Sequence, residues 1–416
     1  TGTYGTPYGS VMSYKGVETP YYSNPDIIYE GEPTGTDAAN NAKVFRNTKH
    51  VVAAYYFRDT YTITATAGAG GSISPGGEQT VAHGGSKTFT ITANAGYKIV
   101  GVYVDEVNNT SAVSSKSYTF ENVTFDHTIY AIFTDQTPIK SWLIGSPNPE
   151  DVQADLTNDG TLTISGTGAM VTAFNAGSQP WYPYGVKRVV INDGVTTIAI
   201  NAFSECSSIT SVSIPNSVTT IGASAFNSSS ITSITIPNSV TEIGDAVFSG
   251  CRSLTSVTMP NSVTTIGFAT FLGCRSLSSI AIPNSVTAIG VLAFYNCDRL
   301  TSVTIPNLVT TIGNGAFQDC SSLTSVTISS SVTEIGDAAF NTCSSLAQII
   351  INAIAPPKID VETFYGVNKA IRLEVPCGAK EAYLAAPYWS EFTNIYTECD
   401  QYIIMASAGS GGSISP

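Results

Sequence analysis

Charged side chains, histidines and long apolar runs are scarce in this chain of 416 residues. Charged residues make up 12% of it, with 18 Lys and Arg against 31 Asp and Glu, so the net charge is −13. Nucleic acids are bound through clustered basic side chains, and we therefore expect no nucleic-acid partner. No run of about 18 apolar residues occurs, so we predict no membrane span in this fragment.

Signals for export and catalysis are missing as well. The first ten residues, TGTYGTPYGS, have neither the basic region nor the apolar core of a signal peptide, so we expect any targeting segment to have been removed or to lie outside this sequence. The chain contains no H-E-x-x-H, G-x-S-x-G or G-x-x-x-x-G-K-S/T motif. The histidines His50, His83 and His127 have no partner motif, and His127 is expected to be a solvated turn residue. We predict no enzyme, no metal and no cofactor.

The residues that are abundant favour strands and turns. Ser, Thr, Val and Ile are frequent, and the chain holds 36 Gly, 21 Tyr and 17 Phe. β-branched and aromatic side chains suit a pleated, half-buried surface. We therefore expect a mainly β protein, and the length indicates several domains.

A repeat dominates the middle of the chain. Seven phenylalanines recur every 23 residues, apart from one interval of 22: Phe203, Phe226, Phe248, Phe271, Phe294, Phe317 and Phe340. A unit of this size is too small to bury its apolar face alone, so neighbouring units must stack. The constant period therefore predicts a solenoid.

Each unit runs roughly LTSVTIPNSVTTIGxxAFxxC. Val257 and Met259 alternate with polar residues, as in a half-buried strand, and Pro260 ends that strand because proline cannot donate to a ladder. A second short extended piece ends at Gly267, where we predict a tight corner in which a Cβ would clash. Ladders of Ile or Val, Phe and Leu are expected to fill the core.

These units resemble the BspA-like leucine-rich repeats of bacterial surface proteins, over about residues 138–400. The segments LTNDGTLTISGTGAM and PWYPYGVKRVVINDGVTTI look like that family's N-terminal cap, and LEVPCGAKEAYLAAPYWSEFTNI looks like its C-terminal closing segment. The resemblance implies a capped leucine-rich-repeat solenoid of about seven 23-residue coils. Its parts would be an N-terminal cap at 136–185, repeats at 186–346 and a C-terminal cap at 347–400.

The flanks look like separate β modules. Residues 61–135 show alternating strands and Gly-rich turns, and they resemble divergent internalin-type B repeats, which are small β-grasp-like spacers. Residues 402–416 match residues 61–75 at eleven of fifteen positions. We therefore expect 401–416 to be the truncated start of a second such module, and 1–60 to be a divergent β module or the tail of one.

The cysteines fall into two groups. Six of them follow the repeat Phe by three residues: Cys206, Cys251, Cys274, Cys297, Cys320 and Cys343. A zinc site needs converging thiolates, whereas a linear ladder points its sulfurs the same way, so we predict buried, inert thiols. Cys377 and Cys399 lie outside the ladder and either form a disulfide or stay free, because the sequence does not give the distance between them.

Two polar ladders recur in register and are interpreted as structural. The asparagines of the PNS turns are expected to cap backbone groups of the next coil. The outward strand positions form a carpet of small hydroxyl side chains, which either reads glycans or is a solvated face. The carpet consists of Ser211, Ser213, Ser233, Thr235, Ser256, Thr258, Ser302, Thr304, Ser325 and Thr327.

Two neighbouring copies deviate from the repeat towards apolar residues. Where the other copies are mostly small or polar, these copies carry Phe268, Leu272, Val291, Leu292 and Tyr295, with Leu308 one turn further on. A contiguous exposed apolar patch marks a binding site, whereas scattered apolar residues need no explanation. These six residues are therefore either a binding patch or side chains that tuck under the next coil.

The resemblance implies a function in adhesion. We expect a non-catalytic, extracellular or surface-displayed bacterial protein that binds a host or neighbouring-cell protein or glycan. One alternative is a structural spacer without a saturable ligand. The other is an accessory binding module of a larger enzyme.

Overall fold

A computed structural model describes residues 59–401 and, before them, the backbone of four short strands. These are β1 (Val11–Tyr14), β2 (Val17–Tyr22), β3 (Ile28–Tyr29) and β4 (Glu32–Pro33), of which β1 pairs with β2 and β3 with β4. His50, most of the expected module at 1–60 and all but residue 401 of the expected module start at 401–416 lie outside the described residues. The chain forms two compact units, Thr1–Asp135 and Gln136–Pro416.

The described part of the first unit is a small β domain. Its elements are β5 (Thr60–Ala67), β6 (Gly71–Ser74), β7 (Gly77–Ala82), β8 (Lys87–Ala93), β9 (Tyr97–Val104), β10 (Val107–Asn108), α1 (Thr110–Ser115), β11 (Ser117–Phe120) and β12 (His127–Asp135). One sheet has the order β10-β9-β12-β5-β7 and the other has the order β11-β8-β6. Alternate side chains such as Ile63, Phe89 and Ile129 are buried between them, as the period-two pattern predicts.

The expectation that His127 is a solvated turn residue is wrong. His127 begins β12, its side chain is only 12% exposed, and its Nδ1 lies 2.7 Å from Asp105 Oδ2. The rings of Phe120 and Phe125 pack against the imidazole, with centroids 4.7 and 4.0 Å away. Asp105 also accepts a hydrogen bond from the Thr128 backbone N–H at 2.8 Å. The carboxylate therefore ties the β9–β10 turn to the start of β12.

The second unit begins with an antiparallel hairpin that leads into parallel coils. It contains β13 (Pro138–Leu143), β14 (Gly145–Ser146), a 3-10 turn (Pro149–Asp151), β15 (Val152–Thr157), β16 (Thr161–Gly166), β17 (Gly168–Met170) and a 3-10 turn (Tyr182–Tyr184). In the Asn158-Asp159-Gly160 turn, Asp159 Oδ1 accepts hydrogen bonds from Thr157 Oγ1 and the Thr161 N–H at 2.6 and 3.0 Å. The first parallel pair joins β16 to the first strand of the coils.

The coils contribute short strands that pair in parallel with those of the next coil. In chain order they are β18 (Arg188–Ile191), β19 (Val195–Ile198), β20 (Ser211–Ser213), β21 (Thr220–Ile221), β22 (Ser233–Thr235), β23 (Glu242–Ile243), β24 (Ser256–Thr258), β25 (Thr265–Ile266), β26 (Ala288–Ile289), β27 (Ser302–Thr304), β28 (Thr311–Ile312), β29 (Ser325–Ile328), β30 (Glu334–Ile335), β31 (Gln348–Ile351), β32 (Arg372–Glu374) and β33 (Ile395–Tyr396). Residues 23 apart pair in register, as Val303 does with Val326. The predicted solenoid is confirmed.

The repeat phenylalanines stack face to face along the core. Successive rings have centroids 5.0–5.8 Å apart and planes within 15° of parallel. The stack continues past the seven predicted rings to Phe364 and ends in Trp181 at one end and Trp389 at the other. Both indole N–H groups donate to backbone carbonyls, of Ala202 and Pro357 respectively. The closing segment therefore supplies one more ring to the ladder than the sequence period indicates.

The corner glycines are required by the spacing of the coils. A Cβ on any of Gly222, Gly244, Gly267, Gly290, Gly313 or Gly336 would lie 2.4–2.7 Å from an atom of the preceding coil. For Gly313 the nearest atoms are the carbonyl carbon of Gly290 and the backbone nitrogen of Val291, both at 2.6 Å. The predicted clash is confirmed; at Gly222, Gly244, Gly290 and Gly313 its cause is the close approach of two backbones, whereas at Gly267 the nearest atom is Asp245 Oδ1.

The cysteine ladder is buried and hydrogen-bonded. The Sγ atoms of Cys251, Cys274, Cys297, Cys320 and Cys343 each donate to the carbonyl of the repeat Phe in the preceding coil, at 3.0–3.2 Å. Burial raises the pKa of the Cys251 thiol to about 11 and that of the Cys343 thiol to about 12. The thiolate form, which is the reactive one, is thereby suppressed, as predicted for inert core thiols.

In three coils the role that we expected of the PNS asparagines belongs to the serine that follows, namely Ser217, Ser262 and Ser285. Ser217 and Ser285 donate through Oγ to the carbonyls of Val195 and Val263 in the preceding coil, at 2.8 and 2.6 Å. In the described coils the asparagine side chains make no such bond. The serine hydroxyl, rather than the asparagine amide, lies within hydrogen-bonding distance of the carbonyl in the preceding coil.

A short helix and a disulfide close the second unit. The helix α2 (Lys380–Ala385) is followed by 3-10 turns at Trp389–Glu391 and Glu398–Gln401. Cys377 and Cys399 are joined by a disulfide, with their Cα atoms 5.5 Å apart. The bond ties the segment that precedes α2 to the last described residues.

We predict that Gly313→Ala lowers the free energy of unfolding by about 2 kcal/mol, because the added methyl group pushes two backbones apart. Thr311→Ala, two residues away on an exposed strand position, is the matched control, with a change within about 0.5 kcal/mol. Urea unfolding followed by circular dichroism measures both. Equal stability of the two variants would contradict the requirement for close stacking.

We predict that stability falls above pH 9 partly through the thiols. The folded pKa values of Cys251 and Cys343 are raised above the ordinary 9.0, so their contribution is complete below pH 9 and is lost as the pH rises through 11 and 12. The slope is on the order of 1.4 kcal/mol per thiol per pH unit. Urea unfolding at pH 8 to 11 should show a shallower decline for a Cys251→Ala, Cys343→Ala variant, and an unchanged decline refutes the assignment.

We predict that Cys377→Ser with Cys399→Ser lowers the free energy of unfolding by about 3 kcal/mol. The bond closes a loop with a sequence separation of 22 residues, and its removal releases that loop in the unfolded chain. Reduction of the native chain should produce the same loss, which serves as the control. Two alkylatable thiols at these positions in the unreduced, denatured protein would show that the bond does not form.

Candidate functional site

The candidate residues lie on two ladders beside the phenylalanine stack. We call the residues three before each repeat Phe the corner ladder: Ile200, Ala223, Asp245, Phe268, Val291, Asn314, Asp337 and Val361. The residues one after each Phe form the ring ladder: Ser204, Asn227, Ser249, Leu272, Tyr295, Gln318, Asn341 and Tyr365. Each rung of a ladder belongs to one coil.

Phe268 and Val291 occupy adjacent rungs of the corner ladder. The Phe268 carbonyl accepts a hydrogen bond from the Ala246 N–H at 2.8 Å, and the Val291 carbonyl accepts one from the Ala269 N–H at 2.9 Å. This repeated backbone bond holds the rungs in register. The side chains of Phe268 and Val291 are 49% and 40% exposed, so both present apolar surface to solvent.

Two polar rungs of the corner ladder accept a hydrogen bond from the backbone of the next coil, and the apolar rungs cannot. Asp245 Oδ1 accepts a hydrogen bond from the Phe268 N–H at 2.9 Å, and Asn314 Oδ1 accepts one from the Asp337 N–H at 3.0 Å. Neither Phe268 nor Val291 has a side-chain acceptor for the rung that follows it. These two rungs therefore lack the side-chain hydrogen bond of the polar rungs and expose apolar surface instead. Packing of the coils does not require this exposed apolar surface.

Leu272, Leu292 and Tyr295 are half-buried, in contrast to Phe268 and Val291. Leu292 has a left-handed backbone with φ +56°, and its Cδ2 lies 2.8 Å from the point that a Cβ on Gly315 would occupy. The side chain therefore leans on the next coil, in space that Gly315 leaves open. The Tyr295 hydroxyl donates to the Asp319 carboxylate, and this bond raises the pKa of Tyr295.

Leu308 lies apart from the other five residues. It is 55% exposed and occupies the turn between β27 and β28, where other coils have the capping serine. The strand β28 separates it from Asn314, the corner-ladder residue of the same coil. The structure therefore does not bring Leu308 to the corner ladder, because the two positions are on different corners of the coil.

Besides Ile200 on the corner ladder, two exposed apolar residues at the other end of these ladders escaped the sequence reasoning. Val361 and Tyr365 flank the eighth ring, Phe364, and are 56% and 60% exposed. The Tyr365 backbone carbonyl accepts a hydrogen bond from the Thr342 N–H at 2.8 Å. The Tyr295 carbonyl accepts the equivalent bond from the Gly273 N–H. Aligning DVETFYGV with the repeats through its phenylalanine is the signal that could have found them.

The charged rungs of the corner ladder are carboxylates. Asp245 and Asp337 lie on the corner ladder. The Asp319 carboxylate accepts hydrogen bonds from the hydroxyl groups of Tyr295 and Thr342. The exposed arginines Arg252 and Arg275 each follow a repeat Phe by four residues in adjacent coils, and the Nε of Arg275 lies 3.7 Å from Asp298 Oδ2, which offsets its charge. The corner ladder is thus apolar at its centre with acidic rungs to either side, and the arginines lie on a separate ladder.

Residues 59–401 form neither a metal-ligand cluster nor a membrane-spanning helix. Across residues 59–401, no group of three or more His, Cys, Asp or Glu side chains is placed to hold a metal ion. Nor does any helix in this range have the length and apolar character needed to cross a bilayer. The serine and threonine carpet is exposed on the coil strands from Ser211 to Thr304 and half-buried at Ser325 and Thr327.

Solved structures of bacterial leucine-rich-repeat proteins are similar to this chain. One from Eubacterium ventriosum is 23% identical, with 58% of this chain and 79% of that chain covered and a TM-score of 0.32. One from T. pallidum is 27% identical, with 50% and 81% covered and a TM-score of 0.31. A leucine-rich cell surface protein from Faecalibacterium prausnitzii is 25% identical, with 60% and 93% covered and a TM-score of 0.29. No curated protein matches.

Family profiles match most of the described chain. The divergent InlB B-repeat domain matches residues 61–137. The BspA type leucine-rich repeat region matches residues 177–301 and 287–400 in six copies, which is more than half of the chain. The ladders of phenylalanine, cysteine and corner glycine described above lie within those matches. The chain belongs to the BspA-type leucine-rich-repeat family.

Proposed function

We propose that this is a non-catalytic, surface-displayed or secreted bacterial adhesin that binds a host or neighbouring-cell protein through the corner ladder. Membership of the BspA-type repeat family supports a binding role for the solenoid. The disulfide between Cys377 and Cys399 supports an exported location, because such bonds persist in oxidising compartments.

The exposure of Phe268 and Val291 on adjacent rungs is the observation that carries the proposal. Well-packed interfaces are organised around a few central aromatic or apolar anchors within a polar rim. Here the anchors stand beside acidic residues, so the complementary partner has an apolar pocket with basic side chains around it. Its binding should weaken as salt screens the rim.

The spacer and accessory-module alternatives make different predictions for the same surface. A spacer has no saturable ligand, and its exposed apolar rungs have no effect on binding. An accessory module binds the substrate of its enzyme rather than a host protein. A quantitative comparison of rung variants therefore separates adhesion from the spacer function.

We predict that Phe268→Ser with Val291→Ser weakens binding to an immobilised matrix protein at least tenfold, because both anchors are removed. Surface plasmon resonance with collagen, laminin, fibronectin and mucin as separate probes measures the loss. Ile200→Ser is the matched control, since Ile200 is a lone exposed apolar rung of the same ladder, 37% exposed.

The control variant and the native chain should bind alike, and all three proteins should share one melting temperature. If the double variant binds as tightly as the native chain, the adhesive site lies elsewhere on the solenoid. Absence of saturable binding to every probe favours the spacer function.

A further inference from the structure

The outward face of the five-stranded sheet in the first unit carries an aromatic row. Tyr130 on β12 pairs directly with Tyr103 on β9 and, on its other side, with Thr66 on β5. One step along the strands, Ile132 pairs with Gly101, and the Gly68 N–H donates to the Ala131 carbonyl at 2.9 Å. Tyr103 and Tyr130 therefore form one row across the sheet, and in the next row Ile132 lies between Gly101 and Gly68.

Both tyrosine rings lean over these glycines. A Cβ on Gly101 would lie 2.9 Å from Tyr103 Cε2, and one on Gly68 would lie 3.2 Å from Tyr130 Oη. The rings therefore occupy the space that side chains would otherwise fill, one on each side of Ile132. Lying along the sheet, they form a shallow apolar platform, and Tyr130 remains 40% exposed.

Polar groups stand at one edge of this platform. Tyr103, Glu106, Thr128, Tyr130 and Ile132 together line a depression of about 330 Å³. Glu106 belongs to the β9–β10 turn, has φ +68° and is exposed. Its neighbour Asp105 is already engaged by His127 and Thr128, so Glu106 is the carboxylate that remains for a ligand.

We propose that this depression binds a neutral glycan chain. A pyranose ring has an apolar face of C–H groups that packs on tyrosine rings, and equatorial hydroxyls that a carboxylate and a threonine hydroxyl can bind. No lysine or arginine lines the depression, so an anionic sugar lacks a counter-charge. A quaternary ammonium ion needs rings arranged as a cage, whereas these lie side by side along the sheet.

The site is independent of the corner ladder. It lies in the first unit, and its residues share no element with Phe268 or Val291. A protein that uses both would hold a partner protein with its repeats and a polysaccharide with its β module. The two activities can therefore be lost separately.

Affinity electrophoresis of the full chain tests the proposal, with mannan, xylan, β-glucan and galactan as separate probes in the gel. At least one probe should retard the native protein, and Tyr130→Ala should abolish the retardation. Titration of the matching hexaose should show at least tenfold weaker binding for Tyr103→Ala and for Glu106→Ala. The last variant changes only an exposed turn residue, so folding does not confound it.

Phe125→Ala is the control, because Phe125 is an exposed ring of the same unit that does not line the depression. It should bind sugar like the native chain, as should the Phe268→Ser, Val291→Ser variant. Retardation by none of the four polysaccharides overturns the proposal, and so does equal retardation of the Tyr130→Ala variant. Binding of choline chloride in place of sugars, lost in the same variants, reassigns the site to organic cations.

Discussion

The structure of the second unit depends on the close approach of successive coils at the corner glycines. There the backbone of one coil leaves no room for a Cβ on the next, as the 2.6 Å separation at Gly313 shows. This spacing brings the phenylalanine rings to stacking distance and lets each cysteine thiol reach the carbonyl of the preceding coil. Hydrogen bonds, ring stacking and thiol burial are thus consequences of one steric requirement, repeated along the chain.

Strict register also determines where function can be placed. Because every rung has the same neighbours, a substitution at one rung lies beside its counterpart 23 residues away, and two deviating copies produce one surface. Phe268 and Val291 use this property, since each is exposed while the backbone beneath it keeps the bond pattern of the polar rungs. An exposed apolar surface is therefore added to the solenoid without changing its backbone hydrogen bonds.

Periodic features of the fold were predictable from the sequence, whereas lateral contacts were not. The spacing of the phenylalanines predicted the solenoid, and the corner glycine predicted the close approach. The side chain that hydrogen-bonds to a carbonyl of the neighbouring coil is determined by the distance between the coils. From the sequence we therefore expected this bond from the asparagine of the PNS turn, whereas Ser217 makes it. Burial of His127 against Asp105, and the leaning of Tyr103 over Gly101, depend on strand register that no local pattern encodes.

The central claim is that the exposed apolar rungs Phe268 and Val291 carry binding and contribute little to stability. A serine scan of its eight rungs, with melting temperature and affinity for a bound matrix protein measured on each variant, tests it most directly. The account predicts nearly constant melting temperatures at the apolar rungs, lower ones at Asp245 and Asn314, which accept backbone hydrogen bonds, and a loss of affinity concentrated at Phe268 and Val291. A loss of stability at these two rungs with unchanged affinity would show that they are packing residues.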